Sequence, residues 1–150
     1  MDENISEKSG SITFPQGQIY TGSIKEGLPE GKGKMVFPDG GFYEGNFVEG
    51  LPKGKGKIEF NDESQLVGNF DDGKINGQGV YQFKDGTILT GIYKSNNVNG
   101  EAKYIYRDGS IFKGNYQSNK RQGEGTLTIY DGSKITASFN QGLANGYGLS

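Results

Sequence analysis

The chain has 150 residues and a formal net charge of −2, and it contains 27 glycines, nine tyrosines and nine phenylalanines but neither cysteine nor histidine. Without Cys or His the sequence excludes disulfides, a catalytic thiol or imidazole and the usual zinc sites. The slightly acidic balance argues against a general nucleic-acid binder, and no apolar run approaches the ~20 residues of a membrane-spanning helix.

The chain opens with a polar and acidic segment. We expect residues 1–9 to form a disordered arm, and their composition is not that of a signal peptide. From Gly10 onward the glycines and aromatic residues become regular, which indicates short strands joined by tight turns. Residues 10–150 are therefore predicted to form one array, in which 10–19 is a half repeat.

A period of 23 residues then runs along the chain without an insertion. Asp-Gly dipeptides mark this period at 39–40, 85–86, 108–109 and 131–132. The large apolar residue that opens each repeat marks it as well: Tyr20, Tyr43, Leu66, Leu89, Phe112 and Ile135. The sequence thus predicts six repeats that start near residues 20, 43, 66, 89, 112 and 135.

Each repeat carries the pattern of a β-hairpin. In the second repeat Tyr43, Phe47 and Ile58 occupy alternate positions, which places them on one face. Gly45 leaves room between Tyr43 and Phe47 for neighbouring rings. A column that contains only Gly or Asn lies between the two strands, and we expect it to form a turn with positive φ. The column comprises Gly27, Gly50, Gly73, Asn96, Asn119 and Gly142.

The segment YEGNF at 43–47, followed by glycines at 54 and 56 and an Asp-Gly turn, resembles the MORN repeat (membrane occupation and recognition nexus). The resemblance extends over about residues 10–150. One departure is the absence of Trp, which MORN repeats often carry in the Phe47 column. The resemblance implies a binding module used in cytoskeletal, ciliary or axonemal assemblies, or the targeting part of an enzyme such as a methyltransferase or lipid kinase.

These patterns predict an all-β fold: a single-layer antiparallel β-meander of tandem MORN hairpins, shaped as an elongated twisted ribbon or trough. No segment has the periodicity of an amphipathic helix, so no second layer is expected to cover the aromatic face. Its rings have two interpretations, the core of the protein or a groove for a helix or extended segment of a partner. The predicted groove residues are Phe47, Phe70, Tyr93, Tyr116, Tyr43 and Phe139.

The face opposite the aromatic rings is expected to carry a cluster of lysines. Lys32, Lys34, Lys55 and Lys57 should share it, and such a patch is able to bind acidic phospholipid. Between residues 20 and 58, however, six lysines are accompanied by five carboxylates. A solvated face is therefore preferred to a membrane site.

Catalytic, cofactor and metal sites are not indicated. Paired carboxylates at 62–63 and 71–72 fall at predicted turns, and the Gly-Lys-Gly-Lys segment at 31–34 lacks the spacing of a phosphate loop. We therefore predict a non-enzymatic scaffold without a cofactor, which binds another protein in the cytoplasm, at the cytoskeleton or in a cilium. The alternatives are a membrane-tethering module for acidic phospholipid and a targeting module of an enzyme complex.

The repeat pattern stops within a hairpin. Residues 146–148 match residues 123–125 of the preceding repeat, and only two residues follow them. An uncapped strand presents unpaired N–H and C=O groups. We expect this end to be covered by end-to-end self-association with a second copy of the chain or by a strand of the partner.

Overall fold

The computed structural model describes residues 7–140 and 143–149. All regular elements in these residues are antiparallel β-strands, which confirms the predicted fold class. The chain divides into two compact units, one ending at Lys74 and the other beginning at Ile75. Within each unit, strands that follow one another in sequence pair with each other, as in a meander of hairpins.

Thirteen strands lie in the described residues. In the first unit these are β1 (Glu7–Thr13), β2 (Ile19–Lys25), β3 (Leu28–Val36), β4 (Phe42–Val48), β5 (Leu51–Glu59) and β6 (Gln65–Asp71). The second unit has β7 (Lys74–Gln82), which starts at the boundary, then β8 (Ile88–Lys94), β9 (Asn97–Ile105), β10 (Ile111–Gln117), β11 (Lys120–Thr128), β12 (Lys134–Asn140) and β13 (Leu143–Leu149).

The first strand begins earlier than the sequence suggests. Residues 7–9 were expected in the disordered arm, but they lie in β1 and pair with residues 23–25 of β2. Backbone pairing depends little on side-chain identity, so the polar composition of these residues did not reveal the strand. Residues 1–6 of the expected arm lie outside the described residues.

Two-residue turns connect the strands within the five hairpins whose turns lie in the described residues. Between β4 and β5 the turn is Glu49-Gly50, with φ angles of 50° and 88°. Two consecutive positive φ angles are typical of the type I′ turn, whose twist matches that of the paired strands. The predicted positive φ is confirmed at Gly27, Gly50, Gly73, Asn96 and Asn119. Gly142 lies outside the described residues.

Turns that begin with Asp join one hairpin to the next. The Oδ1 atom of Asp85 accepts a hydrogen bond from the N–H of Thr87 at 2.9 Å. The same bond forms at Asp39, Asp62, Asp108 and Asp131. Because the N–H stabilises the carboxylate, this bond lowers the pKa of the Asp85 and Asp108 carboxyls. Asp62 keeps the turn although Glu63, with a φ of 73°, stands where other repeats have glycine.

Rings that lie over glycines supply the core that a second layer would otherwise provide. The Tyr43 ring crosses Gly56 of the neighbouring strand, and a Cβ atom on Gly56 would overlap the ring. The same arrangement holds for Tyr20 over Gly33 and for Phe112 over Gly125. In the fourth repeat both members of the pair differ, since Leu89 replaces the ring and Ala102 replaces the glycine. In the third repeat Leu66 likewise replaces the ring, but Gly79 is retained, and the Tyr93 ring lies over that glycine.

We expect Gly56→Ala to lower the free energy of unfolding by about 1–3 kcal/mol, because the added methyl group overpacks against Tyr43. In the Tyr43→Leu background the same change should cost less than about 1 kcal/mol, since the pair then matches Leu89 and Ala102. Urea unfolding of the four proteins, followed by circular dichroism, measures the coupling. Equal costs in the two backgrounds would contradict the ring-over-glycine arrangement.

Four hairpin turns of the described residues are also hydrogen-bonded to a strand of the preceding repeat. Asn119 donates its N–H to the carbonyl oxygen of Val98 at 3.1 Å, and its Oδ1 accepts the N–H of Val98 at 2.7 Å. Asn96 makes the same two bonds with Ile75. The first unit has only the first of these bonds, in the pairs Gly50–Pro29 and Gly73–Pro52. Proline has no N–H to satisfy, so a glycine without a side-chain acceptor suffices beside it.

Asn119→Gly should cost about 1–3 kcal/mol, because it leaves the buried N–H of Val98 without an acceptor. Adding Val98→Pro removes that donor and recreates the pair of the first unit, so Asn119→Gly should cost little in that background. Ser118→Gly is the control, since it changes the neighbouring positive-φ residue and leaves the Val98 bond in place. Thermal unfolding followed by circular dichroism measures the stability of all variants. If Asn119→Gly destabilises the Val98→Pro variant as much as it destabilises the unsubstituted chain, the proposed dependence of Asn119 on the N–H of Val98 is wrong.

Candidate interaction surfaces

Five of the six predicted groove residues are buried. Tyr43, Phe47, Phe70, Tyr93 and Tyr116 are at most 5% exposed. In the first unit Phe47 makes T-shaped contacts with Tyr20 and Tyr43, at centroid distances of 4.9 and 5.0 Å. The sixth residue, Phe139, is half-buried and lies 5.7 Å from the Phe112 ring. These five rings are buried in the core, and their contact with a partner segment stays a prediction.

A second row of aromatic rings is partly exposed. It comprises Tyr81, Phe83, Tyr104 and Tyr106 of the second unit and is termed the aromatic ladder. Ring centroids are 4.7 Å apart for Tyr81 and Phe83, 5.9 Å for Phe83 and Tyr104, and 6.0 Å for Tyr104 and Tyr106. The ladder combines apolar ring faces with hydroxyl groups, a combination that is common where proteins bind other proteins.

A half-buried arginine packs among the rings of the second unit. The Arg121 guanidinium lies 4.0 Å from the Phe112 ring centroid and 5.4 Å from that of Tyr104. It donates hydrogen bonds to the hydroxyl oxygens of Tyr116 and Tyr106, both at 3.3 Å. Earlier repeats have Pro29, Pro52, Ile75 and Val98 at this position. Arg121 thus connects the Tyr106 end of the ladder to the buried rings.

Two buried tyrosines differ in how their hydroxyl groups are satisfied. The Tyr43 hydroxyl donates a hydrogen bond to the carbonyl oxygen of Asn46 at 2.9 Å. Among the described residues, the buried Tyr93 hydroxyl has no hydrogen-bond partner. Burial raises the pKa of each tyrosine to about 12. Because an unpaired buried hydroxyl costs free energy, Tyr93 contributes to stability through its ring.

We expect Tyr93→Phe to leave the melting temperature at neutral pH unchanged or to raise it. Tyr43→Phe should lower it, because that variant loses a hydrogen bond worth about 0.5–1.5 kcal/mol. A pKa raised from 10.0 to about 12 in the folded state means that stability is complete below pH 10 and falls as the pH rises toward 12.

This alkaline loss of stability should be smaller in Tyr93→Phe than in the unsubstituted chain. Thermal unfolding at intervals from about pH 7 to about pH 11 measures both effects. A lower melting temperature of Tyr93→Phe at neutral pH would contradict the absence of a partner for this hydroxyl.

The four predicted lysines line one depression in the first unit. Lys32, Lys34, Lys55 and Lys57 surround it together with Glu44, and its volume is about 890 Å³. This depression is termed the basic groove. In the strand register Glu44 lies opposite Lys34 on one side and Lys57 on the other. Nζ of Lys34 lies 4.1 Å from the centroid of the Phe42 ring.

Neither a metal-binding cluster nor a membrane-spanning helix is found in the described part of the chain. It contains no group of three or more acidic side chains arranged to hold a metal ion, and no helix of the length and apolarity needed to cross a membrane. Strand β13 pairs with β12, but residues 141–142 and 150 lie outside the described residues. Self-association or a partner strand at this end therefore stays a prediction.

Comparison with known families supports the repeat assignment. The model of the MORN repeat matches five tandem segments, residues 20–42, 43–65, 67–88, 90–111 and 112–134. These segments agree with the first five predicted repeats to within one residue at each start. The predicted half repeat and the repeat that starts near 135 lie outside the matches. No curated protein matches the sequence.

Solved structures with a similar fold include three domains of SAS-4 and CPAP proteins. One is the SAS-4 (dCPAP) TCP domain of Drosophila melanogaster, in complex with a proline-rich motif of Ana2 (16% identity, 95% of this chain and 83% of that chain, TM-score 0.51). Another is the TCP10 domain of Danio rerio CPAP (18% identity, 95% of this chain and 68% of that chain, TM-score 0.54). The third is the CPAP G-box domain (14% identity, 95% of this chain and 98% of that chain, TM-score 0.53). At these identities the similarity concerns the fold alone.

Proposed function

The chain belongs to the MORN-repeat family, and on that premise we propose that it is a non-enzymatic scaffold that binds an extended segment of another protein. The observation that carries the proposal is the aromatic ladder. Tyr81, Phe83, Tyr104 and Tyr106 are chemically suited to a core, yet they stay partly exposed. The described residues contain no helix that covers them, and aromatic side chains of this kind dominate the energy of many interfaces.

An extended partner fits the ladder better than a helix does. Proline-rich segments dock on aromatic-lined surfaces because they are already extended and lose little conformational entropy on binding. Their backbone carbonyls remain free to accept hydrogen bonds from tyrosine hydroxyls. The SAS-4 TCP domain, which is similar in fold, is described in complex with a proline-rich motif. That description is consistent with an extended partner here.

We place the scaffold in the cytoplasm, within a cytoskeletal assembly such as that of a cilium or axoneme. Family membership supports this setting, since MORN repeats are used in such assemblies. The structure of the CPAP G-box domain, which shares the fold, suggests a role in centriole elongation for that protein. The membrane-tethering alternative depends on the basic groove and is an outcome of the experiment in the next subsection.

Fluorescence anisotropy with a labelled proline-rich peptide and the full chain tests the proposal. We expect binding, and we expect Phe83→Ala to weaken it at least tenfold, because removal of a central aromatic contact costs about 1.5–2 kcal/mol. Phe37→Ala is the matched control, since Phe37 occupies the position of Phe83 two repeats earlier. Tyr104→Ala is the second ladder variant.

Thermal unfolding must first establish that each variant is folded. Equal losses of affinity for Phe83→Ala and Phe37→Ala would rule out the ladder as the binding surface. A labelled amphipathic helical peptide forms the other arm of the experiment. If it binds and the proline-rich peptide does not, the extended partner is wrong, and if neither binds, the scaffold proposal fails at this surface.

A further inference from the structure

The basic groove concentrates positive charge on a small area of the first unit. Its lining holds four lysines and a single carboxylate, that of Glu44, which amounts to a formal net charge of +3. Lys32 and Lys34 are two residues apart on β3, and Lys55 and Lys57 repeat this arrangement on β5. Residues two apart on a strand are separated by about 7 Å, and strands β3 and β5 by about 10 Å. The four side chains therefore form a compact rectangle.

These lysines are not paired with carboxylates in the described residues. Elsewhere in the structure ion pairs do form, between Lys53 and Asp71 at 2.6 Å and between Lys113 and Glu101 at 3.9 Å. Lys34 faces the Phe42 ring, and Lys32 lies opposite Asn46, which is uncharged. Because the charge of the groove is not neutralised within the first unit, it is available to an acidic ligand.

The second unit has a similar depression with different charge. Its volume is about 540 Å³, and Gln78, Glu101 and Lys103 are among its lining residues. Gln78 and Glu101 follow Lys32 and Lys55 at the same position of successive repeats. The backbone pattern is thus retained while two lysines give way to an amide and a carboxylate. The positive charge is a property of the first unit and not of the repeat as such.

We propose that the basic groove binds an extended acidic segment of a protein, with carboxylates at every second residue. In an extended chain such carboxylates lie about 7 Å apart on one face, which matches the spacing of Lys32 and Lys34. The amide of Asn46 adds a donor and an acceptor for the segment. This surface is separate from the aromatic ladder and differs from it in chemistry.

The shape of the groove favours a peptide over a membrane. The lysines line a depression whose floor includes the backbone of Gly33, Gly45 and Gly56. A narrow chain enters such a depression, whereas a bilayer surface is nearly flat.

Fluorescence anisotropy with a labelled peptide of alternating Glu and Thr tests the inference on the full chain. We expect saturable binding that weakens as salt rises from about 50 to about 500 mM. A peptide of alternating Gln and Thr should not bind. Lys32→Gln combined with Lys55→Gln should weaken binding of the acidic peptide at least tenfold, whereas the charge-matched control, Lys25→Gln with Lys94→Gln, should change it less than twofold.

A gain-of-function variant provides the converse test. Gln78→Lys with Glu101→Lys should make the depression of the second unit basic and add a second binding site for the acidic peptide. Equal losses in the groove variant and the charge-matched control would overturn the inference, because binding would then depend on total charge. Circular dichroism must first show that the groove variant, the charge-matched control and the gain-of-function variant are all folded.

Two further arms separate this surface from the alternatives. Sedimentation with phosphatidylcholine vesicles that contain phosphatidylserine tests lipid binding. Vesicle binding that requires Lys32 and Lys55, without binding of the acidic peptide, would identify a membrane site and overturn the inference. Phe83→Ala should leave binding of the acidic peptide unchanged, so failure at the groove and failure at the aromatic ladder are distinguishable.

Discussion

A sheet that lacks a second layer must build its core from its own side chains, and here the core depends on aromatic rings that lie across glycines of the adjacent strand. The Tyr43 ring occupies the space above Gly56, and its neighbour Phe47 then packs edge to face against it. A side chain on Gly56 would lift the ring away and expose the rings beside it. The glycine-rich composition, which is often typical of disorder, is in this chain a requirement of packing.

The repeats vary in pairs of positions because each pair shares one physical constraint. Ala102 is accommodated beside Leu89 because a shorter side chain leaves room for a methyl group, whereas Gly79 stays a glycine in the repeat of Leu66, where the Tyr93 ring lies over it. Asn119 accompanies Val98 because the strand residue has an N–H that needs an acceptor, and glycine suffices beside proline, where that donor is missing. Each constraint is satisfied between adjacent repeats, as expected of a linear array. Positions outside these pairs, including those of Lys32 and Lys55, are free to change.

The fold was predictable from the sequence because turns and alternation are local. The Gly or Asn column required positive φ, the Asp residues capped their turns, and the period fixed the register of every described hairpin. The degree to which each ring is covered was not predictable. Tyr43 and Tyr104 look alike in the pattern, but their exposure depends on the angle at which neighbouring rings pack. Arg121 could not be foreseen as a contact of these rings, since its column otherwise holds Pro, Ile, Val and Ala.

Alternation along a strand allows one sequence to meet two demands. Residues that face the rings are held by packing, whereas residues that face the other way alter the surface without altering the backbone. One outward column therefore reads Lys32, Lys55, Gln78, Glu101 and Glu124 over successive repeats. Its charge passes from positive to negative while the hairpin stays the same. In such an array the ligand is determined by the repeat to which it binds, and the shared fold alone does not identify it.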